Sequence, residues 1–525
     1  MSSVTVKVSV KNQNEPITKK SNSQLIERIE NHIAKFLQKT KIPGLVITLS
    51  KGDDLHFSKG YGVKSLNNIG QEHNEYTVDT LTPICSMTKS ITAAAISILV
   101  NQGKLSWNKP LKTYIPDIEF SDPWVTDHIT ILDLLTHRTG ITPAMDGIYG
   151  KNRLLESKEI FLKNLKSLPL IGDFRSSFIY NNMMYSLASY IVKLVSGTPF
   201  SHFVEEHIFK PLGITKFTWN TPSLKKSGDF AAPHEYAYTM EEFYNEFKQS
   251  KKDDVIDFKY AEITGWVFED EITIGAGTLS LSAIDMMKWI KCLMNDGKSA
   301  DGTQVVYDVE LIRKPHNTNT FNSVGYGCGL FTKLVDGHVV NFHTGGLPGI
   351  AGIFSFVKSK DIAIYMCTNS GTPLHVQDVI LAELLNASDI STTMERVQRF
   401  ENPHLFIESV IEEYEKLNVG MKEIHPRFDE FVGTYTHPAY GEVVISKEDR
   451  PGHLSMVRQP EYYVLYPYSK KDSGDDQSSL SFYTLLDGLV TGSWFFRIND
   501  DDSIALYVKD ASTVGETEIV FSKKA

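Results

Sequence analysis

Ser86 and Lys89 stand three residues apart at the head of an apolar run, and this pairing suits covalent chemistry. From Lys89 onward, Ile91, Ala94, Ala95, Ile98 and Leu99 recur at helical spacing, with Gly103 as a stop. The spacing predicts Ser86 at the helix N-terminus, with Lys89 one turn further on and on the same face. A serine hydroxyl is a weak nucleophile that needs a base within hydrogen-bond reach. A desolvated lysine beside a positive helix end can be tuned to that task, and the free N–H groups of the first turn can hold an oxyanion. S-x-x-K by itself recurs by chance, and a capping serine beside a solvated lysine is its plain reading. Two later segments give it company. Tyr180-Asn181-Asn182 opens an amphipathic run from Met183 to Ser196 that Gly197 closes, and His343-Thr344-Gly345-Gly346 ends the strand-like Val339 to Phe342.

S-x-x-K, then Y-x-N, then [K/H]-T-G, in that order, resembles the serine penicillin-recognising family. The likeness is to its class C β-lactamase, D,D-peptidase and esterase branch, in which the second motif begins with tyrosine. Thr80 to Ile84, Leu134 to Ile141, Lys210 to Gly213 and Gly275 to Ser280 look like further landmarks of that family, and the resemblance covers residues 25–390. It implies that Ser86 attacks a carbonyl and is acylated while Lys89 and Tyr180 share the proton; which of the two is the base stays open. It implies that Asn182 orients Lys89 and the substrate, that His343, Thr344, Gly345 and Gly346 meet the substrate, and that the N–H groups of Ser86 and Gly346 form an oxyanion hole. His343 stands where β-lactamases usually carry lysine. An unperturbed histidine titrates at about pH 6.5, so no fixed charge grips a substrate carboxylate. That departure favours an esterase or peptidase over a β-lactamase.

These motifs need elements to carry them. A 525-residue chain with 41% hydrophobic residues is expected to form two or three packed domains. Gln24 to Gln38 is helical in period, and Leu45 to Leu49 and Leu55 to Phe57 read as a hairpin turning at Lys51 to Asp54. Helical and loop-rich sequence runs from Ser86 to Cys292, then strand signals return at 338–343, 353–357 and 362–366 before a helix at Val376 to Leu385. Strands at both ends around a helical insert imply an α/β architecture, an antiparallel sheet with a helical lobe, and the resemblance sets the catalytic cleft between them. Residues 1–24 read as a flexible tail, 25–390 as the catalytic domain and 391–425 as a charged, partly helical linker. From 426 to 525 short alternating strands imply a small antiparallel barrel; Gly433-Thr434-Tyr435 with Tyr440-Gly441 resembles the lipocalin-like domain fused behind such hydrolases. Side chains filling the barrel is the simpler reading, a bound ligand the alternative.

The net charge of −11 has no basic block to offset it and excludes a nucleic-acid or anionic-membrane partner. No run of 18 apolar residues exists, and Met1 to Lys20 lacks the apolar core of a secretory signal, so the expectation is a cytoplasmic protein. Cys85, Cys292, Cys328 and Cys367 form no C-x-x-C pair and read as small buried hydrophobes. No metal or other cofactor is implied, and no G-x-S-x-G elbow or P-loop is present; Gly325 to Gly329 reads as a strand entry and not a dinucleotide fingerprint. The expected activity is a serine hydrolase acting on a small ester, amide or short peptide. The alternatives are an acyltransferase of the same fold and a catalytically silent binding or scaffold protein. Nothing in the sequence fixes the oligomeric state.

Overall fold

The computed structural model describes residues 20–143, 158–238, 240–250, 258–263, 273–319 and 324–387. In the C-terminal part it describes 407–408, 410–412, 415, 427–437, 441–448, 454–458, 461–468, 479–486, 489–499, 501–510 and 519–524. The chain divides into two compact units. The first comprises Met1–Trp107, Tyr185–Ala237 and Val255–Pro403, and the second comprises Asn108–Met184, Tyr238–Asp254 and His404–Ala525.

In the first unit the main helices are α1 (Lys20–Thr40), α2 (Thr88–Asn101), α3 (Asn182–Ser196, whose first turn belongs to the second unit), α4 (Ala283–Met294) and α5 (Leu374–Leu385). Its strands are β1 (Gly44–Lys51), β2 (Leu55–Gly62), β3 (Asn317–Asn319), β4 (Val324–Tyr326), β5 (Phe331–Val335), β6 (His338–Leu347), β7 (Ile350–Val357) and β8 (Ile362–Thr368). They form one antiparallel eight-stranded sheet in the order β2-β1-β8-β7-β6-β5-β4-β3. The first strands and the last strand of this sheet therefore pair next to its β2 edge, Leu45 opposite Thr368 and Lys51 opposite Ile362. Strand β1 is buried on both faces. Leu45, Ile47 and Leu49 join Ile29 and Ile33 of α1 and Ile380, Leu381 and Leu384 of α5 in one core. The apolar period of α1 places Ile29, Ile33 and Phe36 on that side, as an amphipathic helix on a sheet requires. On the sheet's other side α4 packs against β8, β1 and β7 and sends the buried Trp289 to Ser90 of α2, where its indole N–H donates at 2.9 Å.

Two expectations shift. Helix α1 begins at Lys20, so the end of the segment expected to be a tail is helical, while 1–19 lie outside the described residues. Strand β6 does not end at His343 but runs on through the motif to Leu347, with Thr344 opposite Ile353 and Gly346 opposite Ala351. The glycines that read as a strand terminator are strand residues.

In the second unit, Pro123–His128 and Ile131–Leu135 are short helices set by their caps. Asp122 accepts the Val125 N–H at 2.9 Å, and Thr130 and Asp133 form a reciprocal capping box. The C-terminal strands are β9 (Gly433–His437), β10 (Gly441–Lys447), β11 (Leu454–Arg458), β12 (Glu461–Tyr468), β13 (Ser479–Leu486), β14 (Leu489–Ile498), β15 (Ile504–Asp510) and β16 (Ile519–Lys523). They close into an antiparallel barrel in sequence order, with β16 returning to β9. Tyr435, Val443, Ile445, Met456, Phe496 and Phe521 are buried, and the ring of Phe496 lies 5.0 Å from Phe431 and 5.5 Å from Tyr435. Most of the segment expected as a linker lies outside the described residues. Ile407 and Val410 within it are helical and buried, so that stretch packs instead of spanning solvent. Among the described residues no helix is long and apolar enough to cross a membrane.

Candidate active site

Ser86 sits in a 3₁₀ turn, Cys85–Met87, that runs straight into α2. From Leu81 to Leu99 every residue is buried except Ser86, so the chain exposes a single hydroxyl in an otherwise dry segment. The turn is locked by Thr88, whose Oγ1 donates to the Cys85 carbonyl at 2.7 Å, and by Ser90, whose Oγ donates to the Met87 carbonyl at 2.8 Å. Cys85 holds a φ of 50°, a left-handed conformation that costs a side-chain-bearing residue about 1–2 kcal/mol. Packing sustains that strain and aims the next residue.

Lys89 lies one turn on, with no exposed surface. Its Nζ donates to Ser86 Oγ at 2.9 Å and to the Ala276 carbonyl at 2.7 Å, and it lies 5.5 Å from the centre of the Tyr185 ring. Three glycine segments allow this crowding. A Cβ at Gly277 would meet the Cys85 backbone at 3.3 Å, one at Gly329 the Lys89 carbonyl oxygen at 2.6 Å, and one at Gly345 the Ile84 carbonyl oxygen at 2.2 Å. Residues 84–90 are thus gripped by backbone on several sides, with no side chain between.

On β6 the residues of the third motif alternate. His343 and Gly345 are buried, Thr344 is half-buried and Gly346 is exposed. The His343 ring has 1% of its surface exposed. Its Nδ1 lies 2.6 Å from the Thr344 carbonyl oxygen, which can only accept, so Nδ1 carries the proton. The neutral ring's Nε2 then accepts from the Tyr326 hydroxyl at 3.1 Å. Burial first, and the Lys89 charge second, push its pKa down to about 3. The expectation that His343 titrates as an ordinary histidine at about pH 6.5 shifts accordingly: burial favours the neutral ring.

The second motif belongs to the other unit. Asn181 caps α3: its Oδ1 accepts the Met183 N–H at 3.0 Å, and its amide donates to the carbonyls of Ile141 and Thr142 at 3.2 and 3.0 Å. Its own N–H donates to His137 Nδ1 at 3.0 Å, and the Tyr180 ring lies over His137 with centroids 4.3 Å apart. Asn182 is the first helical residue and, like Tyr180, is half-buried. The neighbouring loop segments around residues 138 and 175 are held by a fully buried carboxylate. Asp133 receives Arg138 Nε at 2.6 Å and Arg175 Nη2 at 2.9 Å besides its capping bonds. Burial raises its pKa, but the bonds from Arg175 and Thr130 and the two guanidinium charges outweigh it and hold the carboxyl below its usual range. Backbone bonds from Arg175 to Arg138 and from Ile179 to His137 complete the clamp that delivers Tyr180.

The first unit therefore brings together Ser86, Lys89, Gly345 and the strand of His343, and the second brings together Tyr180, Asn181 and Asn182. Sequence reasoning missed Ala276, whose carbonyl anchors Lys89, and Tyr326, the partner of His343. The Gly-rich stretches around both were visible, but a carbonyl acceptor and a buried hydroxyl have no spacing signature.

The profile of the family described as Beta-lactamase matches residues 29–387. An unguisins hydrolase of Aspergillus campestris is 23% identical over 464 residues, covering 84% of this chain and 82% of that one. Among solved structures, the octameric penicillin-binding protein homologue of Pyrococcus abyssi aligns with a TM-score of 0.56 at 21% identity, over 95% of this chain and all of that one. The D-amino acid amidase of Ochrobactrum anthropi aligns with a TM-score of 0.53 at 19% identity, over 70% of this chain and 98% of its own. These structural likenesses bear on the fold alone.

Proposed function

The chain belongs to the beta-lactamase family of serine hydrolases, and from that premise we propose that it cleaves a small ester, amide or short peptide through an acyl-enzyme on Ser86. One observation carries the reading: the only accessible side chain of an otherwise buried segment is a hydroxyl 2.9 Å from a buried lysine nitrogen. As Ser86 Oγ bonds to the substrate carbonyl carbon, its proton passes to the Lys89 and Tyr180 pair and on to the departing alcohol or amine; water then releases the acid. Tyr180 and Asn182 enter this scheme by motif order and family membership. The N–H groups of Ser86 and Gly346 are the proposed oxyanion donors, each worth about 3–4 kcal/mol in such sites.

The interior, neutral His343 favours esterase or peptidase chemistry over β-lactam hydrolysis, because it brings no fixed charge to a substrate carboxylate. A relative named a hydrolase supports the hydrolytic reading. The test is a fluorophosphonate probe with mass-spectrometric mapping. Labelling is expected on Ser86 and absent in folded Ser86→Ala, whose turnover falls by about three orders of magnitude or more. Labelling that survives in folded Ser86→Ala overturns the assignment.

A further inference from the structure

Tyr326 and the loop after it have no place in the scheme above, yet they touch it at two points. Gly329 lies where a Cβ would meet the Lys89 carbonyl oxygen at 2.6 Å, and the Tyr326 hydroxyl reaches the ring of His343. Tyr326 has no exposed surface and its ring stands edge-on to Phe331, 4.6 Å away. Phe331 in turn lies 5.2 Å from His343. The ring of His343 is thus enclosed by β4 and β5, with the Lys89 ammonium on α2 as the charged group near it. A hydrogen-bond chain crosses this enclosure in one sense only: Tyr326 O–H to His343 Nε2, then His343 Nδ1–H to the Thr344 carbonyl.

We propose that Tyr326 and His343 are a positioning pair that holds one imidazole tautomer and thereby fixes β6 against residues 84–86, with neither side chain touching substrate. The proposal rests on the acyl-enzyme reading of Ser86. The Gly345 Cα lies two residues along β6 from His343, and the approach of its hydrogen-only side to the Ile84 carbonyl leaves no slack. A rotation of the ring that broke either bond would move the Thr344 carbonyl, the peptide next to Gly345 and the reach of the proposed Gly346 donor. The pair also keeps a second positive charge from forming beside Lys89, since a Tyr326 hydroxyl that donates to Nε2 opposes protonation there.

The first measurement needs no activity. Full-length protein labelled with ¹⁵N in its histidine rings is followed from about pH 5.5 to 8.5, with His343 assigned by the loss of its signals in His343→Gln. A constant Nδ1–H tautomer is expected. An Nε2–H tautomer, or a His343 that titrates in this window, overturns the proposal. The second measurement is fluorophosphonate acylation of Ser86. Tyr326→Phe is expected to lower the saturating acylation rate about tenfold, the equivalent of one lost hydrogen bond, with probe affinity unchanged. His343→Gln, which keeps a polar acceptor on the strand, is expected within about threefold of the unmodified rate, and His343→Ala is not. Losses that fall on affinity instead, and more for a carboxylate-bearing probe, make His343 a substrate contact and overturn the pairing. Unmodified protein whose Ser86 is never labelled overturns the acyl-enzyme reading alone, since the ring spectra are independent of it.

Discussion

The two groups of motif residues are held by different physics. Around Ser86 and Lys89 the restraint is contact between backbones: Gly329 and Gly345 let their segments close on residues 84–90 at distances no Cβ permits, and Gly277 packs tightly against Cys85. Around Tyr180 the restraint is electrostatic, a buried carboxylate gripping Arg138 and Arg175 from two stretches of chain. Ser86, as the proposed nucleophile, would need sub-ångström placement against Lys89 and the proposed oxyanion donors, and close packing is the kind of restraint that gives it. The tyrosine is delivered by an ion-pair clamp in which one guanidinium, that of Arg175, is half-exposed, a device that tolerates small movement but depends on charge. The first arrangement should fail on adding a methyl group, the second on removing a charge.

Whether the two groups act as one machine is the sharpest question about the pair. Lys89→Ala and Tyr180→Phe are each expected to cut acylation by about 10²–10⁴-fold, and the double variant by little more than the worse single one, because both serve one proton path. Additive losses in the double-mutant cycle would assign the relay to one of them alone. Gly345→Ala comes next. Its Cβ would stand 2.2 Å from the Ile84 carbonyl oxygen, so strand or turn must shift. An acylation loss of about 10²-fold with modest change in melting temperature is expected, in line with the cost of misplacing a reacting group by about 1 Å. Full activity in Gly345→Ala would show that the glycine grip is not what places Ser86.

Asp133→Asn tests the other device. It leaves Arg138 and Arg175 without their buried anion, and with Arg175 half-exposed about 2–3 kcal/mol of stability should be lost. The sign with pH follows from the depressed carboxyl. Its contribution is present above the unfolded carboxylate's pKa of about 3.9 and is lost as pH falls through the lower folded value, so acid unfolding of Asp133→Asn should be shallower than that of the unmodified chain. Parallel acid limbs in the two proteins, followed by circular dichroism, would remove Asp133 from the clamp.

The same contrast explains what could be read from sequence. The helix behind Ser86, the start of α3, the returning strands and the barrel were legible because each is a local period or turn signal: Leu45 to Leu49, Ile353 to Val357 and the alternation Leu454, Ser455, Met456 need no tertiary information. The extent of β6 was not legible, since Gly345 and Gly346 carry a local preference for ending a strand that the ladder to β7 and the contact with Ile84 override. Cys85 in a left-handed conformation gives no signal either, because the residue types that announce it are glycine and asparagine. Nor did the motif tell which way His343 points; a strand's two faces are equivalent in sequence until one knows what covers each.

That last point yields the smallest expected effect and the most discriminating one for substrate class. With its ring interior and its pKa near 3, His343 does not change charge between about pH 6 and 9, whereas an exposed histidine would. Its linkage acts on stability instead: unfolding frees it to bind a proton at about pH 6.5, so stability falls as pH drops below that value. For two esters that differ only in a carboxylate, the ratio of kcat/KM in the unmodified enzyme should stay constant within about twofold across that range. His343→Lys should not improve the carboxylate-bearing ester, because it places a second ammonium beside Lys89 in a buried site, a burden of about 3 kcal/mol or more on folding. A ratio that steps near pH 6.5, or a folded His343→Lys protein with selectively faster turnover of the acidic ester, would return His343 to the substrate's surface. Efficient hydrolysis of a chromogenic β-lactam by the unmodified chain would go further and show that this family member grips a carboxylate by some cation other than residue 343.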